Sequence, residues 1–169
     1  MNRTFLLLAA LFALSLLQAS GVAASSTGLE PVLAGQTWLN GHLTRRNLRG
    51  RVVLVDVFTF ECINCVRVTP NLQRLYRSYG RHDLQIVAVH TPEVPSYQRR
   101  LSYLGRQIAK ASITWPIVVD NDYRIWQAYG ASAWPTQLLF DRQGRLRATI
   151  VGDSQDAVLD GTIARLIRH

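Results

Sequence analysis

Residues 52–58 (Val-Val-Leu-Val-Asp-Val-Phe) and 84–89 (Leu-Gln-Ile-Val-Ala-Val) are two short apolar runs rich in β-branched residues, separated by a segment of helical periodicity. Runs of that length and composition read as strands buried on both faces, and two such strands joined through a helix pair in parallel. Between them stand the only two cysteines of the chain, Cys62 and Cys65. Cys62 therefore falls where a strand turns into a helix N-terminus. Unpaired backbone N–H groups and the positive end of the helix dipole favour a thiolate there, and the thiolate is the species that attacks disulfides. The placement predicts redox chemistry.

The helical segment carries Val66, Leu72, Leu75 and Tyr76 toward Tyr79, and Gly80 reads as its stop. Pro70 lacks an N–H and clashes with the preceding turn, so a kink is expected five residues after Cys65. Before the first strand, residues 25–36 read as an extended lead-in, and residues 37–44 carry an Asn40-Gly41 pair between short apolar stretches, the signature of a hairpin. Beyond the second strand, residues 94–110 read as one amphipathic helix, 115–119 as a strand and 123–129 as a short helix. Residues 137–140 and 146–151 flank a Gly144 turn as an antiparallel hairpin, and 156–167 close the chain as an amphipathic helix. The pattern is α/β: a mixed central sheet with helices on both faces and an N-terminal β-hairpin, in one domain over residues 37–169.

Residues 1–24 have the anatomy of a signal peptide: Arg3, an apolar stretch over 5–17, and small residues at Val22-Ala23-Ala24. That stretch is shorter than the roughly 20 residues a spanning helix needs, which favours a cleaved leader over an anchor. The localisation expected is periplasmic or otherwise extracytoplasmic. The net charge of +8 comes from scattered arginines with no basic stripe or nucleic-acid motif, so nucleic acid is not an expected partner. Exported proteins often use cysteines as staples, but a loop as short as CxxC gives little entropic stabilisation, which favours an active dithiol.

The sequence Val55-Asp56-Val57-Phe58 before Cys62-Ile63-Asn64-Cys65, followed by Pro70 and by Trp134-Pro135-Thr136 ahead of a strand, resembles thioredoxin-fold proteins of the exported TlpA/ResA type. The likeness extends to the thioredoxin-like domain of DipZ-type proteins, which share the CINC motif, the string His90-Thr91-Pro92-Glu93 and a stretch like Asp120-Asn121-Asp122-Tyr123. The resemblance implies a thioredoxin-like fold and a thiol-disulfide oxidoreductase without cofactor. It makes Cys62 the nucleophile, Cys65 the resolving thiol and Asp56 a buried proton acceptor beneath Cys65; the other reading of Asp56 is a solvated acid at a strand edge. Pro135 resembles the family's cis-proline, and the residue before it, Trp134, should offer backbone groups to an incoming substrate strand; the Trp134 ring either covers the disulfide, grips an apolar substrate segment or is a core residue. Phe60 and Glu61 should flank the sulfur and meet substrate.

Where some TlpA/ResA-type reductases carry a glutamate one turn beyond the second cysteine, this chain has Val68, and Glu93 is the candidate substitute, or else a surface acid. The resemblance further implies protein disulfides as substrates, reduction as the direction, and a membrane electron donor of the CcdA/DsbD type. Two alternatives stay open: a disulfide-forming oxidase, and a metal-binding module in which His42, His82 or His90 joins the cysteines. A peroxidase would want a threonine and an arginine around a single cysteine in a different motif, which is not found.

Overall fold

All seven residues of Val52–Phe58 are buried, because this strand lies inside the sheet and is covered on both faces. The computed structural model describes residues 28–169, so the leader over 1–24 lies outside the described residues. In chain order the elements are α1 (Glu30–Leu33), β1 (Trp38–Leu39), α2 (Arg45–Leu48), β2 (Val52–Phe58), α3 (Ile63–Asp83), β3 (Leu84–His90), α4 (Pro95–Gln98), α5 (Leu101–Lys110), β4 (Ile117–Val119), α6 (Arg124–Ala128), β5 (Thr136–Phe140), β6 (Leu146–Val151) and α7 (Asp156–Arg168). The strands form one six-stranded sheet in the order β1-β4-β3-β2-β5-β6. β2, β3 and β4 run parallel, while β5, β6 and β1 are antiparallel to their neighbours. This is the mixed sheet of a thioredoxin-like fold, and the β5–β6 hairpin lies where residues 137–151 place it.

Alternation along the strands divides the interior into two layers. Val52, Leu54 and Phe58 of β2 join Leu84, Ile86 and Ala88 of β3 and residues of α3, α5 and α7, with Cys65 in the same cluster. Val53, Val55 and Val57 pack on the opposite side with Val32, Leu48 and Ile125, from α1, α2 and α6. The cysteine helix thus rests on the face that also carries Asp56.

Four local expectations are corrected. Residues 37–44 do not form a hairpin: β1 pairs with β4 rather than with a returning strand. The Asn40-Gly41 turn is real, with φ of 58° and 113°. Its side chain ties the turn to a distant segment, Asn40 Nδ2 donating to Ile113 O at 2.7 Å. The lead-in is not extended throughout, since Glu30–Leu33 makes a helical turn that buries Val32 completely. Residues 94–110 divide into α4 and α5, because Arg100 adopts extended dihedrals between them. Within α3 the residue that leaves helical dihedrals is Gly80, at φ 59°, and not a residue at Pro70. No helix among the described residues is long and apolar enough to cross a membrane.

Candidate active site

The loop that leaves β2 places Cys62 at the N-cap of α3 with extended dihedrals, while Cys65 sits in the first turn. Cys62 Sγ accepts the backbone N–H of Cys65 at 3.3 Å, so the sulfur occupies the place of a capping oxygen. Its thiol donates to Trp134 O at 3.5 Å, across from α3. Both cysteines are free thiols, Cys62 half-buried and Cys65 2% exposed. Burial pushes the Cys65 thiol far above its ordinary range, and the Cys62 sulfur and the Asp56 charge push the same way, while the Thr59 backbone amide favours the thiolate.

Asp56 is 4% exposed in the middle of β2, which overturns the solvated-edge reading. Burial raises its pKa to about 7, and the Gln137 side chain acts in the opposite direction. Gln137 is the cross-strand partner of Asp56 in the β2–β5 register. Two ionised groups in this site would repel at short range in a medium that screens poorly. A proton moving from Cys65 to Asp56 keeps the count at one negative charge.

The remaining predicted residues divide. Trp134 precedes Pro135 in a cis peptide bond, and its half-buried ring packs on Trp126 with centroids 4.4 Å apart. Phe60 is half-buried, T-shaped against Phe58 at 5.0 Å, and packs with Cys62 and Trp134 against the cluster that contains Cys65. Glu61 accepts a hydrogen bond from the Tyr103 hydroxyl on α5. Glu93 is exposed on the loop between β3 and α4, and the group from that edge that is packed inward is His90. A cavity of about 180 Å³ opens beside Cys65 between Phe58, Phe60, Val66, Pro70 and Ile113. Exposed Ile63 and Val66 give the surface around Cys62 an apolar character.

Sequence reasoning missed Gln137, Thr59, Gln98 and Tyr103 as members of this neighbourhood. Gln137 had a signal: a polar residue opening an otherwise apolar strand. Among the described residues no three His, Cys, Asp or Glu side chains gather around a point suited to a metal ion. His42 and His82 are exposed, and His90 lies against Phe58 and Phe60.

Residues 31–149 match the model of the AhpC/TSA family. The chain belongs to the AhpC/TSA family. Among its relatives is protein DipZ of Mycobacterium tuberculosis, 33% identical over 84% of this chain. The chain spans about one fifth of DipZ, 21% of its length. Thiol-disulfide oxidoreductase YkuV of Bacillus subtilis is 30% identical over 81% of this chain and 93% of its own length. A solved thiol-disulfide isomerase from Corynebacterium glutamicum superposes with a TM-score of 0.71 at 29% identity, covering 80% of this chain and 93% of the other. The resemblance to TlpA/ResA-type oxidoreductases therefore holds for this AhpC/TSA-family chain.

Proposed function

We propose that this AhpC/TSA-family thiol-disulfide oxidoreductase is exported and reduces disulfides in proteins of the cell envelope. The observation that carries the reading is the unequal burial of two thiols one helical turn apart, with a carboxyl of pKa about 7 on the same face of the sheet.

Cys62, the accessible sulfur, attacks one sulfur of a substrate disulfide as a thiolate, and the other substrate sulfur leaves as a thiolate. Cys65 then passes its proton to the Asp56 carboxylate and attacks Cys62 Sγ. The second substrate thiolate departs, and the Cys62–Cys65 disulfide forms. Two electrons have passed to the substrate, and a membrane donor of the CcdA/DsbD type returns them. Trp134 O and the segment at Pro135 lie beside Cys62, where the backbone of an extended substrate would align. Phe60 and the exposed Ile63 and Val66 offer apolar contact to the residues flanking its cysteine. Exposed Glu61 stands at the same rim, and Glu93 acts as a modulator from the loop after β3.

Reduction of a protein disulfide such as that of insulin tests the assignment. Cys62→Ser abolishes turnover, and Cys65→Ser accumulates a covalent mixed disulfide through Cys62 that dithiothreitol releases. Full activity in the Cys62→Ser protein would remove that cysteine from the mechanism. Export is supported by the leader-like residues 1–24 and is checked by the mass of the mature protein recovered from the envelope.

A further inference from the structure

β3 ends in His90, whose side chain has no part in the thiol exchange above. Its ring is fully buried, stacked on Phe60 and T-shaped on Phe58, with centroids 5.6 Å from each. His90 Nε2 lies 3.5 Å from Thr59 Oγ1. The Thr59 hydroxyl donates its one proton to Gln98 Oε1 at 3.1 Å, and that atom also accepts the Val94 N–H at 2.9 Å, which fixes it as the oxygen of the amide. Thr59 is left able only to accept from His90, so the imidazole carries its proton on Nε2. Burial, with its pKa lowered to about 4, keeps the ring neutral. Nδ1 is then a buried acceptor without a partner.

A phenylalanine would fill this place between Phe58 and Phe60 without an unpaired buried atom, which costs stability. The histidine is accounted for by what it holds. Thr59, Phe60 and Glu61 form the loop that delivers Cys62, and each is gripped from residues 90–103: Thr59 by His90 and Gln98, Phe60 by His90, and Glu61 by Tyr103. The same loop delivers Cys62 to the N-cap of α3, where its sulfur in the reduced form accepts the Cys65 N–H at 3.3 Å.

We propose that His90 is a positioning residue of the dithiol: by donating from Nε2 to Thr59 it fixes the loop that holds the reduced Cys62 sulfur on the Cys65 N–H, and so biases the equilibrium toward the dithiol. The inference rests on Cys62 and Cys65 being the reacting pair. A wild-type chain that did not exchange with glutathione at all would sink that assignment before any variant was compared.

The test is the equilibrium constant with glutathione for the wild type, His90→Phe, His90→Gln and Thr59→Val, together with urea unfolding of each redox form. His90→Phe keeps ring packing but loses the donor. It shifts the equilibrium about tenfold toward the disulfide, about 30 mV for this two-electron couple. His90→Gln, which restores a donor near the position of Nε2, returns the constant to within about threefold of wild type, and Thr59→Val reproduces the shift from the other end of the bond. A structural role that destabilised both redox forms equally would leave the constant unmoved. A constant within twofold of wild type in His90→Phe overturns the proposal, as does a shift that His90→Gln fails to restore. Should His90→Phe not fold, an unshifted Thr59→Val decides against it.

Discussion

Asp56 and Gln137 face each other across the β2–β5 register, and neither Asp56 Oδ1 nor Gln137 Nε2 has a hydrogen-bond partner. Burial there disfavours the carboxylate and the Gln137 side chain only partly offsets it, so the proton is held up to about pH 7. The rate of the resolving step is therefore expected to rise with pH through about 7 as the acceptor form of Asp56 appears. In Asp56→Asn that inflection disappears and the rate falls by about 10²–10⁴-fold, the usual worth of a general base. Stopped-flow single-turnover kinetics between pH 5 and 9 checks this, and an unchanged profile would leave Asp56 without a proton-transfer role.

Two buried groups, Asp56 and His90, enter the stability with opposite signs. The folded Asp56 carboxyl stays protonated to about pH 7, whereas its ordinary value is 3.8, so its contribution is complete below about pH 4 and is lost as pH rises through about 7. His90 stays neutral in the fold down to about pH 4, whereas the unfolded ring takes a proton below 6.5, so stability is lost as pH falls across that window. Each amounts to roughly 3–4 kcal/mol at full extent. Relative to wild type, Asp56→Asn should gain stability steeply from pH 4 to 6.5, and His90→Phe should lose it over pH 4 to 7. Urea midpoints of the reduced proteins give the comparison; equal slopes in all three would contradict both assignments.

Much of this site was legible because its signals are local. The run Val52–Phe58, the cysteines after it and the periodicity of α3 lie within one stretch of chain, and they specified the βαβ unit and the position of Cys62. What was misread depends on distant partners. The Asn40-Gly41 turn has the dihedrals its residues favour, yet β1 finds its partner in β4, nearly 80 residues on. The four residues of α1 are too few to show a period, and Pro31 near the helix start is a weak sign beside so many turn-forming neighbours. Thr59, His90 and Gln98 meet only because three segments converge at the ends of β2 and β3, and nothing in their spacing announces it.

The N-terminal turn is part of the folded core, which Gly35 tests. A Cβ at residue 35 would lie 2.1 Å from Val118 Cγ2, a fully buried side chain on β4. Gly35→Ala is expected to cost about 1–3 kcal/mol by overpacking, read as a lower urea midpoint, with the glutathione equilibrium constant unchanged because the site lies in the other layer of the core.

The direction of electron flow is the centre of the account, and the reduction potential of the Cys62–Cys65 couple measures it most directly. Equilibrated against glutathione and read by alkylation of the free thiols, a reductant of envelope disulfides should give a value near about −270 mV. A value near about −120 mV, that of a strong oxidant, would contradict the account and make this protein a donor of disulfides.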